Sequence, residues 1–174
     1  MLKWLLLFLV IAIAGAVIFE LRPPEPITFM QITSPAFSNN GKIPLQYTCD
    51  GASARPDFSF SGVPESAKSL AIIMHDPDAP VPGGWTHWTA WNIDPKTRTL
   101  TGDSLPSGAM EGTTSAKATG YRGPCPPSGT HHYHFYMYAL DTLFDLPAST
   151  TVDILRTALT GHIVSQAELI GTYK

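Results

Sequence analysis

Hydrophobic and polar positions alternate most regularly late in the chain. From His131 the side chains sort into two sets with a period of two. His131, Tyr133, Phe135, Met137 and Ala139 share one strand face, and His132, His134, Tyr136, Tyr138 and Leu140 share the other. Ser69 to His75 (SLAIIMH) is largely apolar, as expected of a strand buried on both faces. Trp85 to Asn92 (WTHWTAWN) predicts another strand, with His87, Thr89 and Trp91 on one face. The period lengthens after Pro147. There Val152, Leu155 and Leu159 form an apolar stripe, and Thr150-x-x-Asp153 resembles a capping box with Asp in place of Glu. These positions predict one clear helix, packed as a lid on a sheet. Gly161 interrupts it, His162 to Glu168 is expected to add a turn or two of helix, and Leu169 to Tyr173 a final edge strand. From Ile27 to Pro64 the chain reads as turns and short extended pieces, with turn signals at Asn40-Gly41 and Asp50-Gly51.

The N-terminus follows neither period. Trp4 to Phe19 carries no charge and is preceded by Lys3 and the terminal amine. As a helix it spans about 24 Å, slightly short of a hydrocarbon core of about 30 Å. Positive charge on the leading side keeps that end cytoplasmic and sends the rest across the membrane. Residues 1–19 are therefore expected to be a signal anchor, or a signal peptide cleaved near Ala14-Gly15-Ala16; the apolar run continuing through Val17-Ile18-Phe19 favours the anchor. Residues 20–26 (ELRPPEP) form a stiff Pro-rich spacer, and residues 27–174 one folded domain in an extracytoplasmic location.

Composition narrows the classes. Only 14% of the 174 residues are charged, and the formal net charge of −3 comes with no basic run, so nothing marks a nucleic-acid binder. Sixteen prolines and fourteen glycines suit many short strands joined by turns. The two cysteines, in an oxidising compartment, suggest a Cys49–Cys125 disulfide, with two buried free thiols as the alternative.

Candidate chemistry gathers at three places. Asp76-Pro77-Asp78-Ala79-Pro80 holds two aspartates in a rigid bend at the end of a core strand. His87 lies on the next strand. Gly120 to Asp141 (GYRGPCPPSGTHHYHFYMYALD) places a proline-stiffened loop before His131 and Tyr133, about 7 Å apart on one face. His132 and His134, two apart on the other face, are the spacing of a metal chelate, but no third ligand is apparent. No G-x-S-x-G, H-E-x-x-H or nucleophile–base set is present, so neither catalysis nor a cofactor is expected.

Together DPDAP (76–80), W-x-H-W (85–88) and G-P-C-P-P-x-G-x-H-x-Y (123–133), with YTCDG (47–51) and GHIVSQAELIGTY (161–173), closely resemble the phosphatidylethanolamine-binding protein (PEBP) family, in its bacterial and archaeal branch akin to Raf kinase inhibitor protein. The resemblance spans nearly all of Ile32 to Tyr173. It implies an all-β sandwich of two antiparallel sheets with a short C-terminal helical segment, here preceded by an N-terminal hydrophobic helix. It also implies a small pocket for a phosphate-like anion or a phosphoethanolamine head group, built by Asp76, His87, Cys125, Pro126, Pro127, His131 and Tyr133. Some relatives inhibit serine proteases or kinases, so a protein partner engaged by an exposed loop is the alternative role. One departure stands out: the branch usually carries arginine where this chain has His132, which removes a permanent cation.

Overall fold

The computed structural model describes residues 29–102 and 104–174. The expected N-terminal hydrophobic helix and the spacer lie outside the described residues, and within those no helix is long and apolar enough to cross a membrane. The order of elements is β1 (Gln31–Thr33), β2 (Gly41–Lys42), a 3₁₀ turn (Leu45–Tyr47), β3 (Phe58–Ser61), β4 (Ser69–Asp76), β5 (Trp85–Ile93), β6 (Thr99–Leu100), β7 (Met110–Glu111), β8 (His131–Leu140), α1 (Val152–Leu159) and β9 (Ile163–Tyr173). The chain is thus mostly β, with two sheets and one short helix. The small sheet has the order β1-β3-β6 and the large one β2-β9-β8-β4-β5-β7. The large sheet is not wholly antiparallel, because Gly41 and Lys42 pair in parallel with Gly171 and Thr172.

All eight residues of β4 are buried because each face has a cover. Leu70, Ile72 and Met74 join Phe58, Phe60, Trp88 and Phe135 in the core shared with the small sheet. Ala71 and Ile73 point the other way, to Trp91, Leu155 and Leu159, so α1 does lie as a lid on the large sheet. Each of the fully buried Leu70, Ile72, Ile73 and Met74 side chains contributes about 1.5–3 kcal/mol of transfer free energy. The helix starts one residue later than the capping box implied: Thr151 is the cap, and it makes no side-chain capping bond.

The segment from His162 to Glu168 is not helical. His162 lies in the turn after α1, and Ile163 to Glu168 belongs to β9, which pairs with β8 from His131↔Tyr173 to Leu140↔Ile163. Half-exposed alternation and two β-branched residues at its start fit a strand, and ten residues of open ladder on β8 outweigh a weak helical preference. Leu169 to Tyr173 is likewise not an edge, because β2 flanks it at Gly171 and Thr172.

Strict alternation also fails in β5. Thr86 pairs with His75 and Trp88 with Met74, so His87 is an extra residue in a β-bulge. The bulge separates His87 from Thr89 and Trp91, which the alternating pattern had grouped with it. His87 is turned toward the end of the inter-sheet core instead, beside Tyr133 at a ring-centroid distance of 5.2 Å.

Candidate functional site

The ends of β4, β5 and β8 converge at one end of the large sheet, where the bends that follow β4 and precede β8 enclose a cavity of about 570 Å³. Six of the seven sequence-designated residues line it: Asp76, His87, Cys125, Pro126, Pro127 and His131. Tyr133 does not. It is wholly buried, behind His87 and in line with the His131 ring at 6.5 Å, and its hydroxyl has no hydrogen-bond partner among the described residues. Burial pushes its ionisation far above the usual tyrosine range, so it stays a neutral donor.

Each polar group is held by backbone or by a buried partner. Asp76 ends β4, and its Oδ1 accepts the Asp78 backbone N–H at 2.9 Å across the Pro77 bend. Its Oδ2 accepts from His131 Nδ1 at 2.7 Å, with both side chains under 10% exposed. His131 therefore has Nε2 left for the cavity. His87 Nδ1 donates to the Arg122 carbonyl at 3.0 Å, since a carbonyl can only accept, and this too leaves Nε2 unspent. Burial holds His87 below the usual histidine range, with the Arg122 carbonyl and the Asp76 carboxylate opposing the shift in part. At neutral pH its Nε2 therefore carries a lone pair, and it becomes a donor only on protonation.

Two glycines make the walls possible. Gly84 has φ +74°, and a Cβ there would come within 2.5 Å of the Asp76 carbonyl, so only glycine lets the bend close over the end of β4. A Cβ on Gly123 would lie 2.7 Å from the Tyr47 carbonyl. That approach is also where Gly123 N–H reaches Ser53 Oγ at 2.8 Å and Cys49 N–H reaches the Pro124 carbonyl at 3.0 Å. Cys49 and Cys125 are joined by a disulfide between the same two segments.

Ala79, Pro80 and Trp85, which the sequence showed only as motif positions, also line the cavity, as do Ser53, Val81, Ala116 and Arg122, which it did not single out. Arg122 is the important one. Its backbone pairs with His87 in both directions, N–H to carbonyl at 3.0 Å and carbonyl to ring nitrogen, and its guanidinium meets no carboxylate among the described residues. The signal was available, since Arg122 is the one permanent cation in the Gly120–Asp141 stretch. Apolar walls from Val81, Trp85, Pro126 and Pro127 complete a pocket suited to a small anion with an organic substituent.

The histidines on the opposite face of β8 are otherwise engaged. His132 pairs with Asp78, by its ring at 2.7 Å and its backbone N–H at 2.8 Å, and His134 pairs with Glu168 at 2.6 Å. Asp78 is held below the usual carboxylate range, first by the His132 ring and then by its N–H. The two histidines thus face different carboxylates, and no group of three metal-ligating side chains occurs among the described residues. A second depression of about 730 Å³ lies around Arg55 and Glu111, but these bond to each other at 3.5 Å, and Arg55 is also committed to the Thr101 and Ser104 carbonyls.

Comparison with known proteins agrees with the motif resemblance. Residues 33–174 match the family described as phosphatidylethanolamine-binding protein. A UPF0098 protein of Methanothermobacter thermautotrophicus is 46% identical over 151 residues, covering 83% of this chain and 99% of that protein. A UPF0098 protein of Chlamydia trachomatis is 42% identical over 149 residues, with the same coverage. Among solved structures, a PEBP homologue from Chlamydia trachomatis superimposes with a TM-score of 0.80 at 42% identity, covering 84% of this chain and 97% of that one. Escherichia coli YbcL, described as a new member of the mammalian PEBP family, gives 0.81 at 30% identity, covering 84% and 99%. With its fold, its motifs and 142 matched residues in agreement (33 to 174 inclusive), the chain belongs to the phosphatidylethanolamine-binding protein family.

Proposed function

We propose that this domain binds a phosphate-like anion or the phosphoethanolamine head group of a lipid without chemically altering it, in an extracytoplasmic location. The observation that carries this is the convergence, in one cavity at the strand ends, of Arg122, His87 and the buried Asp76–His131 pair. A bound phosphate takes donors from the Arg122 guanidinium and, once each Nε2 carries a proton, from His131 and His87. The buried Tyr133 ring packs behind His87 and His131 and backs the two donors without lining the cavity. Asp76 looks mischarged for an anion site until its role is separated from the ligand's: both its oxygens are engaged, one holding His131 and the other the bend. That arrangement orients a donor and leaves little capacity for receiving a ligand's ammonium group.

Calorimetric titration of phosphate and phosphoethanolamine tests the site. A charge-assisted hydrogen bond contributes about 1.5–3 kcal/mol, so His131→Ala or Arg122→Ala should each weaken binding about 10- to 100-fold. If neither variant differs from the parent, the pocket is not the binding site. The location is tested by fusing alkaline phosphatase after Lys174, where an inactive reporter refutes export.

A further inference from the structure

The Cys49–Cys125 disulfide is part of the cavity wall. Both cysteines line the cavity alongside His87 and His131, and both are exposed, so a thiol can reach the sulfurs without unfolding the protein. Exposed disulfides are the ones open to exchange, whereas bonds sealed in a core resist it. The bond also acts mechanically, as the covalent tie at the point where the loop's hydrogen bonds to the Cys49 turn run out. The loop is hydrogen-bonded on its near side, through Arg122, Gly123 and Pro124. Beyond Cys125, no hydrogen bond ties Pro126, Pro127, Ser128, Gly129 or Thr130 to another described residue, and the two prolines have no N–H to offer. Besides the contact of the Cys125 backbone with the Tyr133 hydroxyl, the covalent link is what holds the Pro126–Pro127 wall against the turn at Cys49.

We infer that this disulfide is a thiol-exchange site for a dithiol reductant, and that its redox state sets how tightly the cavity holds an anion. The second half rests on the anion-binding reading proposed above. A reductant thiolate attacks one sulfur of the pair, the S–S bond breaks, and the other cysteine leaves as a thiolate. The reductant's second thiolate then attacks the resulting mixed disulfide. The protein takes up two electrons and two protons as free Cys49 and Cys125, and the reductant is oxidised to its own disulfide. With the bond open, the Pro126–Pro127 wall loses its anchor, and binding must then order it afresh. An occupied cavity in turn covers the sulfurs and favours the closed bond, because coupling between two sites is reciprocal.

The test uses the full-length protein with phosphate as probe and dithiothreitol as reductant. Phosphate affinity is measured by calorimetry with the bond closed, with it opened, and in the Cys49→Ser/Cys125→Ser double variant. Circular dichroism follows the fold throughout, and the mass of alkylated protein follows the bond. The expected result is a folded, reduced protein that binds phosphate about tenfold more weakly. Saturating phosphate should then slow reduction and lower the midpoint potential by about 30 mV per tenfold difference in affinity. Equal affinity in the open and closed states overturns this inference and leaves the anion site standing. Reduction that proceeds only together with loss of the circular dichroism signal also overturns it, and this holds even if the double variant does not fold. If the oxidised protein binds no phosphate, the anion-binding reading falls and takes this inference with it.

Discussion

Replacing Asp76 by Asn separates two roles that a carboxylate can have beside an anion. Asp76 is 3% exposed and its two oxygens accept from Asp78 N–H at 2.9 Å and His131 Nδ1 at 2.7 Å. An asparagine of the same shape keeps the first bond through its carbonyl oxygen. Its amide then faces a ring N–H, so His131 must switch tautomer or turn away. The lost charge-assisted bond costs about 1.5–3 kcal/mol of stability, a fall in Tm of roughly 3–10 °C for a domain of this size. For the ligand two effects compete. Removing a unit negative charge about 6 Å from a bound anion favours it by about 2.8 kcal/mol at an effective dielectric of 20. Loss of the His131 ring nitrogen positioned by Asp76 opposes that by a similar amount, because a misoriented ring no longer meets the anion. If Asp76 serves to hold His131, phosphate and phosphoethanolamine should weaken together, by about tenfold, with their ratio unchanged. If it instead receives the ligand's ammonium, phosphate should bind more tightly to Asp76→Asn while phosphoethanolamine weakens. Calorimetry with both ligands reads the ratio directly, and a divergence of more than about threefold refutes the orienting role assigned here.

Three further outcomes are expected. Burial holds both His75 and His87 below the ordinary histidine value, so the unfolded chain binds more protons than the folded one below that value. Stability is then full above about pH 6.5 and is lost as the pH falls toward the folded values, while anion affinity rises over the same range because a bound anion favours protonated His87. Thermal melts at about pH 7.5 and about pH 5.5 should show a lower Tm in acid that phosphate partly restores, and an unchanged Tm refutes the assignment. His132→Ala removes a half-exposed pair with Asp78 on the face away from the cavity, so anion affinity should stay within about twofold and stability within about 1 kcal/mol. A loss matching that of His131→Ala would show that the strand faces are wrongly assigned. Arg55→Met strips a buried guanidinium from the Thr101 and Ser104 carbonyls, from Glu111 and from the Trp88 face 4.9 Å away. Urea unfolding should register a loss of about 3 kcal/mol, and one below about 1 kcal/mol would make the cluster dispensable.

Strands whose burial follows from local pattern were legible in the order of side chains alone. β4 is apolar throughout because both its faces are covered, and β8 alternates because one face meets the core and the other is half open, so each could be read from side chains alone. That same alternation placed His131 and Tyr133 on the inner face and His132 and His134 on the outer, as the structure has them. Short motifs in fixed order identified the family without any coordinates. Tertiary structure decided what depends on a partner strand or a neighbouring segment. Whether His162 to Glu168 coils or extends turns on the open ladder of β8, which lies outside the segment's own pattern. His87 leaves the face of Thr89 and Trp91 only because β4 offers Met74 alone opposite two residues, and a bulge is a property of a pair of strands. Arg122 enters the cavity because its backbone pairs with His87, 35 residues away in sequence, and Tyr133 stands behind the cavity because the His87 ring comes between. Period and propensity act over a few residues and report a face. Which groups meet at a site is set by pairings across tens of residues, whose free energy is realised only when the whole sheet closes.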